Sequence, residues 1–108
     1  MNALDVFETL KSAQITPYYE FPEVETFGSV HLRGRLLDDS LNRCDANVEW
    51  TDKGCMYGVL DICFWNLEYG NHEHLYYDVV STADGDGFRV VDGLRVVDVV
   101  FEWDDVCA

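Results

Sequence analysis

Residues 57–81 read YGVLDICFWNLEYGNHEHLYYDVVS, and this stretch decides the fold. In an extended chain alternate side chains point to opposite faces. One face of residues 57–69 carries Leu60, Ile62 and Phe64, and the other carries Val59, Asp61, Cys63, Trp65 and Leu67. Because both faces are largely apolar, this strand is predicted at the centre of a sheet. Gly70-Asn71 predicts a turn, and a second alternating strand follows over residues 74–81.

Shorter alternating segments on both sides of this stretch predict the remaining strands. They are residues 29–37, 46–50, 88–91 and 94–103. Turn residues separate them, above all Asp84-Gly85-Asp86-Gly87 and the two-residue hairpin loop Asp92-Gly93. Pro22 limits residues 18–24 to an edge strand or a loop, because proline donates no hydrogen bond to a sheet.

The N-terminal segment predicts a helix. Leu4, Phe7 and Leu10 recur at helical spacing and form one apolar stripe, and Pro17 prevents the helix from continuing far beyond Ile15. We therefore expect an α+β fold in a single domain over residues 1–108. One N-terminal helix would pack on a twisted, mainly antiparallel sheet of five to seven strands. A partly closed β-barrel is the alternative, because two strands are apolar on both faces.

The charge of the chain is its strongest functional signal. Twenty-one acidic residues stand against seven basic ones, a net charge of −14 on 108 residues. Residues 1–53 hold ten acids and five bases (net −5), and residues 54–108 hold eleven acids and two bases (net −9). Like charges repel in the compact state, so we infer that the charge serves a partner. It disfavours direct binding to nucleic acid, which requires Lys and Arg, and to anionic membranes.

Composition also bears on the compartment. Aromatic residues make up 14% of the chain, which excludes a disordered acidic tail. The N-terminus shows no secretory signal, and no window approaches the roughly 20 apolar residues of a membrane span. The four cysteines are Cys44, Cys55, Cys63 and Cys107, and no two of them form the CxxC pair of zinc or thioredoxin-like sites. A Cys44–Cys55 disulfide is geometrically conceivable, but we expect reduced thiols in the cytoplasm of a bacterial host cell.

Acidic residues on strands are the candidate partner-binding residues. If Val97, Val99 and Phe101 face the core, Asp98 and Glu102 project outward. The main candidates are Asp98, Glu102, Asp104 and Asp105, and the supporting ones are Asp61, Glu68, Glu73 and Asp78. Carboxylates at i and i+2 of a strand are about 6.6–6.8 Å apart, similar to the spacing of successive phosphates along one nucleic-acid strand. Such a row could imitate phosphates and bind a groove rich in Lys and Arg. Ordinary solubilising charge is the alternative.

The chain resembles a class of small acidic inhibitors made by phages and mobile elements, the DNA-mimic anti-restriction and anti-CRISPR proteins. The resemblance lies in size, in Asp and Glu on strands, in aromatic content and in the lack of catalytic motifs, and no sequence motif carries it. It implies a non-enzymatic inhibitor that occupies a basic surface of a host defence nuclease complex. The basic trio Arg33, Arg35 and Arg43 lies in the N-terminal half, so we expect a one-sided negative field.

Three other patterns have simpler interpretations. On a strand, His72 and His74 would share a face and could chelate a metal with a nearby Cys or Asp, but beside a turn we interpret them as an exposed polar loop. Asp84-Gly85-Asp86-Gly87 resembles part of a calcium loop, yet position twelve is Arg95, a cation. Cys63 could pair with either histidine, which only geometry can show. No nucleophile elbow or phosphate-binding loop is present, so we predict no enzyme, no cofactor and no metal site.

The sequence therefore predicts a binding protein with a basic protein target as its partner. An immunity protein or antitoxin that neutralises a cognate basic toxin is the alternative. A small-molecule or metal-binding module around residues 57–69 is a second alternative. The six tyrosines exceed the needs of a small core, and exposed ones would add contacts beside the acidic residues. An apolar outer sheet face would also permit a homodimer.

Overall fold

The chain folds around the central hairpin of residues 57–81. The computed structural model describes residues 3–32, 36–37, 43–82, 87–92, 95–96, 101–102 and 106–107, with side chains described in residues 5–31, 44–82 and 87–92. These residues form one helix and nine strands. The elements are α1 Ala3–Ser12, β1 Ser29–Leu32, β2 Leu36–Leu37, β3 Arg43–Trp50, β4 Tyr57–Asn66, β5 Asn71–Ser81, β6 Gly87–Asp92, β7 Arg95–Val96, β8 Phe101–Glu102 and β9 Val106–Cys107.

The strands form one open antiparallel sheet. Its order is β7-β6-β5-β4-β3-β1-β9, with β2 paired to β3 and β8 paired to β6. Every pairing between the described strands is antiparallel. Five of these strands, β1, β3, β4, β5 and β6, have four or more residues. The predicted α+β fold, with one helix and a mainly antiparallel sheet, is confirmed. The barrel alternative is wrong, since no described strand joins the β7 end of the sheet to the β9 end.

Several strand boundaries differ from the prediction. The described residues of the predicted strand over residues 29–37 lie in β1 and β2, and β3 begins at Arg43, three residues before the predicted start. Strand β5 begins at Asn71, so His72 and His74 lie in a strand and not in a loop. Pairing with β4 explains this extension, because ladder hydrogen bonds outweigh the weak strand preference of polar residues.

Helix α1 covers one face of the sheet, here called the inner face. Val6 and Leu10 are fully buried, and the Phe7 ring lies 5.1 Å from the Phe64 ring of β4. The buried residues of the sheet on this face are Cys44, Ala46, Val48, Trp50, Leu60, Ile62, Tyr77, Val79, Phe88 and Val90. The predicted stripe included Phe7 and Leu10 and missed Val6.

Among the described residues, no helix is long and apolar enough to cross a membrane.

The chain between α1 and β1 crosses the opposite face of the sheet, here called the outer face. At the edge of β5, Tyr18 and Tyr76 exchange two backbone hydrogen bonds of 2.8 and 2.9 Å. Farther along, the backbone of Trp50 in β3 makes two hydrogen bonds of 2.8 Å with residues 27–28. Because β4 lies between β3 and β5, residues 18–28 pass over β4. We call them the crossing segment.

Candidate partner-binding face

Four carboxylates gather on the outer face of the three central strands. Asp61 of β4 stands directly opposite Asn47 of β3 and Tyr76 of β5. Its diagonal neighbours, two residues along those strands, are Asp45, Glu49, His74 and Asp78. Diagonal neighbours in an antiparallel sheet lie about 7–8 Å apart. We call Asp45, Glu49, Asp61 and Asp78 the acidic cluster, and Asp61 is its centre.

Two carboxylates of the acidic cluster are held by neutral side chains. Asp78 Oδ2 accepts a hydrogen bond of 2.9 Å from the Tyr18 hydroxyl, and Glu49 Oε1 accepts one of 2.8 Å from Asn47 Nδ2. The hydrogen bond to Asp78, and then the charge of that carboxylate, raise the pKa of Tyr18. The phenol therefore stays protonated and continues to donate. Neutral donors orient a carboxylate without removing its negative charge.

The other two carboxylates have different partners. Asp61 Oδ1 lies 2.8 Å from His74 Nδ1, and Asp45 Oδ1 accepts a hydrogen bond of 3.1 Å from the backbone N–H of Ala46. Within the described residues, no Lys or Arg side chain forms an ion pair with any carboxylate of the acidic cluster. As far as the described side chains extend, the charge of the cluster is therefore not neutralised by Lys or Arg.

Aromatic and imidazole rings form two groups beside the acidic cluster. The Trp65 and His72 rings meet edge to face with their centroids 4.9 Å apart. The His74 and Tyr76 rings stack at 5.9 Å with an interplanar angle of 10°. Phe21 of the crossing segment meets Tyr76 edge to face at 5.4 Å. These contacts orient His74, and through it Asp61, on the surface of the sheet.

Cys63 is close to a histidine, but its surroundings favour the protonated thiol. Its Sγ lies 3.8 Å from His72 Nδ1. Burial, and then the negative charges of Asp61 and Asp45, raise the pKa of the Cys63 thiol. A nucleophilic cysteine needs the opposite environment, one that stabilises the thiolate. The distance would allow a thiol–imidazole pair, but the surroundings of the thiol oppose formation of the thiolate.

Cys44, Cys55 and Cys63 are free thiols, and the described residues hold no metal-binding cluster. Cys44 is buried at the start of β3, whereas Cys55 is exposed in the loop beyond the other end of that strand. The conceivable Cys44–Cys55 disulfide is therefore not formed. His72 and His74 share the outer face, yet no group of three or more His, Cys, Asp or Glu side chains in the described part of the chain could hold a metal ion.

The predicted partner-binding residues fall into three groups. Asp61 and Asp78 lie together in the acidic cluster. Glu73 stands opposite Phe64 and therefore lies on the inner face, away from the cluster, and Glu68 lies exposed in the turn after β4. Asp98, Asp104 and Asp105 lie outside the described residues, and the backbone of Glu102 pairs with Gly87 of β6.

Sequence reasoning missed Asp45 and Glu49, although a signal for one of them was present. Val48 and Trp50 are the large apolar residues of the predicted strand over residues 46–50, and alternation places Glu49 on the face opposite to them. Asp45 had no such signal, because it precedes that predicted strand. The structure includes it in β3, where it stands opposite Cys63.

A pocket of about 330 Å³ lies between the crossing segment and the outer face. Its apolar lining includes Val59, Val80 and Val91 on three neighbouring strands and Pro22 and Val24 of the crossing segment. Val59 is only 3% exposed, although it points away from the helix. Asp78 of the acidic cluster is the one charged residue among the described residues that line this pocket.

Comparison of the chain with protein-family models, with curated proteins and with solved structures found no match. Function must therefore be inferred from the outer face itself.

Proposed function

We propose that this protein is a non-enzymatic inhibitor whose outer face binds a basic, nucleic-acid-binding surface of a protein target. The acidic cluster carries the proposal. It places four carboxylates on three adjacent strands, and none of them is paired with a Lys or Arg of the described residues. A partner cation can therefore approach these carboxylates without first displacing a Lys or Arg of the described residues.

The overall charge favours rapid and salt-sensitive association. Among the described side chains, thirteen are Asp or Glu and three are Lys or Arg. Complementary charge can raise association rate constants to about 10⁸–10⁹ M⁻¹s⁻¹ at low salt, from about 10⁵–10⁶ without it. Salt screens exposed charges, so binding of this kind weakens as the salt concentration rises.

The arrangement of the carboxylates supports the DNA-mimic form of the proposal. Asp61 has three carboxylate neighbours at the diagonal spacing of about 7–8 Å, which is comparable to the separation of successive phosphates. The cluster lies on a sheet, so its spacing is held by the ladder and not by flexible loops. In this form the target is a defence nuclease complex of the anti-CRISPR or anti-restriction kind, in the cytoplasm of a bacterial host.

Exposed tyrosines supply the second component of a protein interface. Tyr and Trp are enriched among residues that contribute most to binding energy. Tyr18 is 49% exposed beside Asp78, and Tyr57 is 60% exposed at the rim of the pocket. Apolar contact area and negative charge therefore lie side by side on one face.

An immunity protein or antitoxin would use the same surface, and genetic setting separates it from a phage inhibitor. An adjacent toxin gene favours the former, and neighbouring genes of phage origin favour the latter.

The small-molecule alternative would use the pocket below the crossing segment. However, the described lining of that pocket is mainly apolar, and Asp78 is its one charged residue.

Capture from a bacterial lysate, followed by reconstitution, tests the proposal. The full chain is immobilised at 50 mM NaCl, and bound proteins are eluted by a gradient to 500 mM and identified by mass spectrometry. We expect a basic nucleic-acid-binding protein, whose purified form binds at least tenfold more weakly at 500 mM than at 50 mM. Duplex DNA should displace this chain. A partner that binds equally in both salts would contradict the proposal, and failure of DNA to compete would contradict the DNA-mimic form.

A matched pair of double variants locates the interaction. Glu49→Gln with Asp61→Asn removes two charges from the acidic cluster, and Glu8→Gln with Glu73→Gln removes two from α1 and the inner face. We expect at least a fivefold lower association rate constant at 50 mM NaCl for the first pair, and less than a twofold change for the second. Equal effects would mean that net charge, and not the outer face, controls binding.

A further inference from the structure

The pocket below the crossing segment combines apolar walls with one carboxylate. We propose that it receives an arginine side chain of the basic partner, with the aliphatic stem against Val59, Val80 and Val91 and the guanidinium on Asp78. This inference rests on the proposed function, and it names the group by which the partner would be anchored to the acidic cluster.

The lining excludes simpler occupants. An apolar group would fit the valines, but it would bury the Asp78 carboxylate with the neutral Tyr18 hydroxyl and no cation as its partner, which costs free energy. A small inorganic cation would meet the carboxylate but would leave the apolar walls in contact with water. An occupant that satisfies both parts has a hydrocarbon stem that ends in a cation, as arginine and lysine do.

Arginine fits the polar end better than lysine does. Tyr18 occupies Oδ2 of Asp78, and no described residue donates to Oδ1, so the carboxylate can still accept from a partner. A guanidinium is planar, is less strongly hydrated than an ammonium and stacks on aromatic rings. Tyr57 lines the pocket and is 60% exposed, which offers such a ring beside the entrance.

The protein's own cations leave the pocket free in the described part of the chain. Arg89 of β6 stands opposite Val80 on the outer face, but it does not line the pocket and forms no ion pair with Asp78. Lys53 lies with its Nζ 5.9 Å from the centre of the Phe27 ring and is likewise absent from the lining. No Lys or Arg in the described part of the chain therefore supplies the complementary charge at this pocket.

Titration of the full ¹⁵N-labelled chain with N-acetyl-arginine-N-methylamide tests this inference by NMR. We expect saturable shifts at the amides of Val59, Asp78, Val80 and Val91. The norleucine analogue, which lacks the cation, should bind at least fivefold more weakly, as should guanidinium chloride, which lacks the stem. Shifts spread evenly over the acidic cluster would overturn the proposal, because they would indicate attraction by the general field.

Three variants separate the pocket from the charge. Asp78→Asn keeps an acceptor for Tyr18 and should weaken arginine binding at least fivefold, whereas Asp45→Asn removes the same charge elsewhere in the cluster and should change it less than twofold. Val80→Phe fills the pocket, keeps every charge and should abolish the saturable shifts. Equal effects of Asp78→Asn and Asp45→Asn, or unchanged binding by Val80→Phe, would overturn the inference.

The outcomes for the pocket and for the proposed function are distinguishable. If a basic partner is captured but arginine does not saturate the pocket, the inference fails and the proposed function stands. If arginine saturates the pocket but no basic protein binds the chain, the proposed function fails, and the site remains only as a site for a free guanidinium compound.

Discussion

Cys44 illustrates how burial at one position changes the chemistry of a side chain. It lies on the inner face opposite Phe64 and is 4% exposed. Burial first, and then the negative charges of Asp45, Cys63 and Glu8, raise the pKa of Cys44 from 9.0 to about 12. The folded protein therefore keeps this proton over a pH range in which the unfolded chain loses it.

This shift predicts a loss of stability in alkali. The contribution of Cys44 is complete below pH 9.0, where both states hold the proton, and it is lost as the pH rises toward 12. Between pH 8 and pH 10.5 we expect the free energy of unfolding of the native protein to fall by about 2 kcal/mol more than that of Cys44→Ala. Urea unfolding of both proteins at the two pH values measures the difference. Parallel pH profiles would show that the thiol ionises equally in both states.

Gly58 shows a second constraint that acts on a single residue. It stands opposite Trp50, and a Cβ atom there would lie 2.7 Å from the backbone oxygen of Glu49 and 3.0 Å from the Trp50 ring. Strand β4 tolerates this glycine because the indole ring fills the space that a side chain would occupy. The close approach is a property of the β3–β4 pair, and nothing in the immediate sequence around Gly58 indicates it.

At the scale of elements, α1 is held to the sheet by a short row of side chains. The helix has ten residues, and isolated helices shorter than about 12–15 residues are marginal in water. Its stability must therefore come from packing. Val6 and Leu10 are fully buried, and Phe7 rests on Phe64 of β4.

Removal of one of these contacts should have a large cost. We expect Leu10→Ala to lower the free energy of unfolding by about 2–5 kcal/mol, because it deletes a fully buried side chain. The neighbouring Lys11 is exposed, and Lys11→Ala should change the free energy by no more than about 0.5 kcal/mol. Urea unfolding followed by tryptophan fluorescence measures both values. A Leu10→Ala cost below that of Lys11→Ala would mean that α1 does not contribute to the core.

At the scale of the whole molecule, the net negative charge destabilises the folded state. The net charge is −14, and the four carboxylates of the acidic cluster lie on three adjacent strands. Like charges in a compact state repel one another. A surface suited to a cationic partner is therefore obtained at some cost in stability, as is common at functional sites.

Repulsion between the carboxylates predicts that added salt stabilises the free protein. The same screening should weaken its binding to a basic partner. Raising NaCl from 20 to 500 mM should increase the melting temperature by several degrees, because the screening length falls well below the size of the molecule. The double variant Glu49→Gln with Asp61→Asn should melt at a higher temperature in 20 mM NaCl and gain less from added salt. Differential scanning calorimetry measures both effects. A melting temperature of the native chain that falls with added salt would contradict the expected repulsion.

Much of the architecture could be predicted from local pattern. Alternation over residues 57–69 and 74–81 placed a two-faced strand at the centre of the sheet and a partner strand after it, and both are observed as β4 and β5. Pro22 correctly excluded a central strand before β1. Boundaries were less accurate at Arg43 and Asn71, because strand pairing extends into polar residues whose own preference is weak.

The candidate site depended more on contacts between distant parts of the chain. Local alternation shows that Asp61 and Cys63 share a face, since side-chain direction in a strand repeats every two residues. It cannot show that Asp45, Glu49 and Asp78 surround Asp61, because strand register is set by packing of the inner face against α1 and by the turns. Nor can it show that the crossing segment lies over Val59. By itself, the sequence determined the elements and the sign of the charge, and the tertiary structure alone decided which carboxylates meet, because alternation is a local property and register is not.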